Sequence, residues 1–300
     1  MPATSPVFVF PAFPNDYTGH PGNDLEGFSI QFEQLIKEVS TSHEFLLSGF
    51  NFQSNNFLDD ELKTQYITYL YSCAAATVLR KKQIHPEYSA GYSMGIYAAL
   101  YDAGSITLDT GLRFIKQAYR SLKSAIRGKT YGMGTLIGLE RKDIEMLISN
   151  SHFRIDITNQ NAPYSYVVSG IRDDIQEMLS LAKNEGALHT RSFPVSVPFH
   201  NHLLKDAAIG FSGKTSHLDI FPPSNPVLSL IDQKELHTPE ELRCEITRNL
   251  HHPLNWYKTQ QWFVMHGIQQ FIECGPSRSL VKNAKFVGLE CRFIPLDGIH

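Results

Sequence analysis

The chain has 300 residues, 42% of them hydrophobic, with 27 Lys+Arg against 30 Asp+Glu and a formal net charge of −3. That length suits one large domain, or a large one with a smaller insertion. The near-neutral balance provides no basic surface for nucleic acid, and no apolar run reaches membrane-spanning length.

The elements follow in chain order. Val7-Phe8-Val9-Phe10 reads as a short strand ending at Pro11. Residues 28–39 have helical apolar spacing, 51–60 read as polar loop, and 64–79 as a long helix rich in tyrosine and alanine. Residues 105–126 form an amphipathic helix with basic residues outward. A different texture begins near Thr130. Strand-like 133–139, helical 141–149, strands at 155–158 and 166–169 around a turn at Asn161-Ala162-Pro163, helical 173–184 and strand-like 188–195 spell βαββαβ. That is the order of a small ferredoxin-like module. Beyond it, strand-like 226–230, helices at 239–250 and 256–266, and a strand at 270–273 return to alternation. The expected architecture is α/β. An α/β-hydrolase-like main domain (1–130 and 197–300) is interrupted by an inserted ferredoxin-like α+β subdomain (131–196).

The N-terminus lacks the basic residue and apolar stretch of a secretory signal. Cys73, Cys244, Cys274 and Cys291 are scattered, which suits reduced thiols in a cytoplasmic protein. Gly132-Met133-Gly134 lacks the third glycine of a dinucleotide fingerprint. His251-His252 and His200-Asn201-His202 lack the cysteine or carboxylate company of a metal site. No cofactor and no metal are expected.

Gly91-Tyr92-Ser93-Met94-Gly95 is the most informative run. Glycines at the first and last positions let a strand turn sharply into a helix with a serine hydroxyl at the apex. Ser93 is then a candidate nucleophile that forms an acyl-enzyme. A base must lie within hydrogen-bond reach, and His200 stands where the insertion would rejoin the main domain. A small-ester hydrolase in the order Ser…Asp…His is a competing arrangement, with Asp232 and His252 or Asp297 and His300.

Five segments resemble the malonyl-CoA:acyl-carrier-protein transacylase family and the related acyltransferases of polyketide synthases. They are Phe8-Val9-Phe10-Pro11; Gly91 to Gly95; Asn161-Ala162-Pro163 with Val167-Val168-Ser169-Gly170; Val195 to His200; and Asn249 to Trp256 with Glu273-Cys274-Gly275-Pro276. The resemblance implies that Ser93 attacks a thioester carbonyl and that His200 moves the proton. It implies that the backbone carbonyl of Asn249 orients the histidine, and that the backbone N–H groups of Phe13 and Met94 form the oxyanion hole. It also implies an acyl carrier protein as partner, with acyl-CoA as a further thioester source, and a monomer.

The departures from the family shape the expected substrate. The family's arginine, which pairs with the malonyl carboxylate, falls on Ala118. The histidine before the nucleophile is Tyr92, and the glutamine-rich loop near the site carries Phe13. With Asn161 and with Phe199 beside His200, these residues describe a pocket for an uncharged, unbranched acyl group. Free-standing members without the arginine resemble proofreading acyl hydrolases of polyketide assembly lines. Release of non-malonyl acyl groups from carrier-bound phosphopantetheine by hydrolysis is therefore the favoured reading. Transfer of malonyl or a monocarboxylic acyl group is the alternative, and an inactive carrier-docking homologue a third.

Overall fold

The structure, a computed structural model, describes residues 5–12, 25–40, 60–193 and 195–299. The first half of the main domain runs β1 (Val7–Phe10), α1 (Phe28–Ser40), α2 (Glu61–Lys81), β2 (Tyr88–Gly91), α3 (Ile96–Asp102) and α4 (Leu108–Ala125). The insertion follows as β3 (Tyr131–Ile137), α5 (Arg141–Ser151), β4 (Ile155–Ala162), β5 (Ser165–Ile171), α6 (Arg172–Asn184) and β6 (His189–Phe193). The chain then adds α7 (Lys205–Thr215), β7 (Val227–Leu228), β8 (Glu235–Leu236), α8 (Pro239–Arg248) and β9 (Leu254–Asn255). It closes with α9 (Trp256–Met265), β10 (Gln270–Glu273), α10 (Ser279–Ala284) and β11 (Arg292–Pro295). This is an α/β-hydrolase-like core carrying a ferredoxin-like subdomain.

The main sheet has the order β11-β10-β1-β2-β7-β8, parallel except for β7 with β8. A parallel sheet needs helices on both faces, so its central strands are apolar throughout. β1 shows this directly, with all four residues buried. Alternation then divides them between two cores. Phe8 and Phe10 pack with α2, α3 and α4. Val7 and Val9 pack on the other face with Trp256, Phe263 and Phe271. Helix α2 lies deep and is buried over most of its surface, which explains its tyrosine- and alanine-rich sequence. Asp60 caps its N-terminus by accepting from the Lys63 backbone at 2.9 Å.

The second sheet has the order β6-β3-β5-β4-β9. Its pairings among β3 to β6 are antiparallel, and α5 and α6 bury Leu136, Ile144, Val168 and Met178 against them. Strand β9 comes from the main domain and pairs in parallel with β4, Asn159 opposite Leu254. The subdomain sheet therefore ends on a main-domain strand. Two boundaries differ from expectation. β4 continues through Ala162, so Asn161 lies in a strand and the turn contracts to Pro163 and Tyr164. β6 stops at Phe193, short of Val195.

Candidate active site

The elbow is built by contact. Gly91 faces the backbone of Ile96 so closely that an added Cβ would sit 2.2 Å from its Cα. At Gly95 an added Cβ would meet the Phe10 carbonyl oxygen at 2.0 Å. Both glycines are required because the helix start packs directly on β1 and β2. The Tyr92 N–H donates to the Phe10 carbonyl at 2.8 Å and ties the elbow to β1. Ser93 itself has φ 56°, a left-handed conformation costly for a non-glycine residue. That turn projects its hydroxyl out of the sheet.

His200 is the second left-handed residue of the site, with φ 61°. Its N–H donates to the Leu250 carbonyl at 3.2 Å. On either side of it the segment is bound to β5: Ser169 Oγ donates to the Phe199 carbonyl at 3.2 Å, and Asn201 Nδ2 donates to the Ser169 carbonyl at 2.9 Å. So fixed, His200 places Nε2 2.7 Å from Ser93 Oγ. His200 is 3% exposed, and burial lowers its pKa to about 4, opposed by the backbone of Asn249 and His252. The imidazole is neutral near pH 7 and free to accept a proton. Its Nδ1 is buried and has no well-formed hydrogen bond among the described residues. The Asn249 backbone favours the protonated ring without reaching good hydrogen-bond geometry. The Asn249 side chain has a role with no motif to signal it: Nδ2 donates to the Ser93 carbonyl at 2.9 Å and braces the elbow.

Tyr92 turns the other way, into the subdomain. Its hydroxyl donates to Asn161 Oδ1 at 2.9 Å and accepts from Asn159 Nδ2 at 2.9 Å. Its ring meets Trp256 edge-on at 6.2 Å. Tyr92 is thus a polar link between the two sheets, and burial pushes its pKa up to about 12. Sequence reading missed Asn159 because it lies in a strand with no motif around it.

Two spaces open beside the dyad. A cleft of ≈ 420 Å³ is lined by Tyr92, Ser93, Asn161, Phe199 and His200, and also by Arg191, Arg278 and Lys282. A smaller cavity of ≈ 30 Å³ is lined by Ser93, Met94, Ala118, Phe199, His200 and Asn249, together with Glu61 and Tyr97. Every candidate residue that is described therefore touches the dyad or one of these spaces. Phe13 lies outside the described residues. No lysine or arginine lines the smaller cavity, and the residues outside the described set contain none.

Against the competing ester-hydrolase arrangement, the described histidine in hydrogen-bond reach of Ser93 is His200 and not His252. Asp232 is held by Arg248 at 2.5 and 3.0 Å, and Asp297 by Arg278. His300 lies outside the described residues. Among the described residues no cluster of His, Cys, Asp or Glu could hold a metal ion.

No family model matches the chain. Over 269 residues it is 28% identical to the polyketide biosynthesis malonyl CoA-acyl carrier protein transacylase PksC of Bacillus subtilis, covering 86% of this chain and 91% of that protein. It is 28% identical over 223 residues to the polyketide biosynthesis protein ThaF of Burkholderia thailandensis, covering 74% of this chain but 19% of that much longer protein. The malonyl CoA-acyl carrier protein transacylase structure from Coxiella burnetii superposes with a TM-score of 0.90 at 25% identity, covering 98% of this chain and 94% of that one. A serine elbow on a parallel sheet, faced by a histidine just beyond a ferredoxin-like insertion, is the arrangement this chain shares in fold with those transacylases. The relatives it resembles across most of its length are malonyl-CoA:acyl-carrier-protein transacylases, polyketide biosynthesis members among them.

Proposed function

We propose that this protein transfers short, uncharged acyl groups between thioesters through an acyl-Ser93 intermediate, with an acyl carrier protein as partner. The 2.7 Å contact between Ser93 Oγ and His200 Nε2 at the junction of the two spaces carries the reading. His200 Nε2 takes the hydroxyl proton as Ser93 Oγ attacks the thioester carbonyl. The oxyanion is held by the backbone N–H of Met94; Phe13, expected from the sequence as the second donor, lies outside the described residues. Collapse of the intermediate breaks the C–S bond, and the imidazolium returns its proton to the leaving thiol. A second thiol then reverses the sequence and leaves with the acyl group. The Asn249 carbonyl steadies the charged ring.

The cleft suits the pantetheine arm, and the basic residues in its lining suit a phosphate and an acidic carrier. Residues 131–196 act as the subdomain that walls this cleft against the catalytic part, 1–130 and 197–300. The smaller cavity takes the acyl chain. A malonyl carboxylate there would find Ala118 in place of a cation, together with the Glu61 carboxylate, and would lose its hydration uncompensated. Transfer is favoured over the hydrolysis expected from the sequence because the relatives that match across most of the chain are named transacylases. The four cysteines are unpaired, in keeping with a reducing cytoplasm.

Acetyl-, propionyl- and malonyl-CoA would be incubated separately with the enzyme and a holo carrier protein, and the products followed by intact mass. Acyl-Ser93 and acyl carrier are expected from the first two, faster than free acid. Acid release outrunning transfer would restore the hydrolase reading, and malonyl outpacing both would overturn the neutral-acyl pocket.

A further inference from the structure

The smaller cavity is not uniformly apolar. Tyr97 lines it from α3, 2% exposed, and its hydroxyl has no hydrogen-bond partner among the described residues. The ring is fixed by stacking on Phe114, centroids 6.1 Å apart and planes 13° from parallel, so the hydroxyl cannot swing out to water. Glu61 lines the same cavity from the first turn of α2. Its Oε2 binds Lys123 Nζ at 2.6 Å, while Oε1 is buried without a partner. Buried polar atoms without partners are rare in folded proteins, and each calls for an explanation.

The two groups are complementary to one kind of ligand. A carboxylate oxygen only accepts, and a phenol both donates and accepts. We infer that the cavity recognises a short acyl chain ending in a hydroxyl, which donates to Glu61 Oε1 and accepts from the Tyr97 hydroxyl. A terminal methyl leaves both unpaired, and a terminal carboxylate faces a like charge. Lys123 sits on Glu61 Oε2 at 2.6 Å, so an ammonium would enter beside a cation already paired with that carboxylate. A space of ≈ 30 Å³ admits little beyond one such terminal group. The inference rests on the acyl-Ser93 reading and names the substrate class for it.

Glycolyl-CoA and propionyl-CoA test it, since they differ by hydroxyl against methyl at equal chain length. Acyl-enzyme formation would be followed by rapid quench and intact mass. A site that hydrogen-bonds a substrate hydroxyl discriminates far more strongly than an apolar pocket does. Glycolyl is expected to load at least about 10²-fold faster in kcat/KM. Tyr97→Phe should bring that ratio to within about tenfold, and Glu61→Gln should lower it independently. Thermal melts of both variants establish that they are folded. Equal loading of the two esters by the native enzyme overturns the inference and leaves the acyl-serine chemistry standing. Failure of both esters and of acetyl-CoA to load overturns the acyl-Ser93 reading itself.

Discussion

Ser93 and His200 each hold a left-handed backbone, and each is held there by neighbours on other elements. Strain of that kind persists only where the surroundings fix it, and here it aims two side chains at one point. Replacing either residue by alanine should lower kcat by about 10⁴–10⁶, read as acyl-carrier formation, with thermal melting little changed. Because burial lowers His200 to about pKa 4, the imidazole stays a base well below neutrality. The kcat/KM profile of the free enzyme should be flat from about pH 5 upward and fall only as the ring protonates near pH 4; a limb near pH 6.5 would contradict that burial. Ala118 and Glu61 line one small cavity, and Lys123 holds only Oε2 of Glu61, so an arginine introduced at 118 would meet the unpartnered Oε1. Ala118→Arg alone should raise malonyl loading little. Ala118→Arg with Glu61→Gln should raise it at least about tenfold, since the guanidinium is then free for the substrate. Loading by both variants can be compared with radiolabelled malonyl-CoA.

At the scale of elements, the site depends on how β2, β4 and the segment before α7 are joined. Tyr92 spans the first two through Asn159 and Asn161, and Ser169 with Asn201 fastens the His200 segment to β5. Tyr92→Phe strands two buried amides and should cost about 1–3 kcal/mol in urea unfolding. Acyl transfer should fall with it as the cleft wall loosens, and unchanged stability would show that the link is dispensable. The helices at 28–39, 64–79 and 105–126 were legible from apolar spacing, because each buries one continuous face or nearly its whole surface. The insertion was legible from its order of six elements. The two-residue strands β8 and β9 were not, since they are too short to show periodicity and exist only by pairing. Asn161 read as a turn residue beside Pro163, yet β4 pairs with β5 on either side of it, Gln160 with Tyr166 and Ala162 with Ser165.

At the scale of the molecule, buried ionisable groups pull stability in opposite directions with pH. Glu273 sits at the end of β10 and accepts from the Leu280 and Val281 backbone at 3.1 and 2.8 Å. Burial raises its pKa to about 7, so the folded state binds its proton more tightly than the unfolded chain does. Its stabilising contribution is complete below the ordinary carboxylate value of 4.5 and is lost as pH rises to about 7. His200 works the other way: its contribution is complete above 6.5 and is lost as pH falls toward 4. Urea titrations of Glu273→Gln should therefore show the variant gaining on the native protein as pH rises from 5 to 8. A constant difference across that range would mean the carboxyl is ionised throughout.

The residues themselves determined the elbow, because a strand that must turn within one residue and pack its helix start on a neighbouring strand needs glycine at 91 and 95 and an exposed side chain between them. They determined that position 118 carries an alanine and no cation, and that no lysine or arginine stands in any segment outside the described structure. Tertiary structure decided what surrounds that alanine. Glu61, Tyr97 and Ala118 come from three separate helices, and Ser93 meets His200 across 107 residues of chain. Hydrophobic spacing reports which face of a helix is buried and nothing about which atoms share a cavity. Convergence of that kind exists only once the helices are packed.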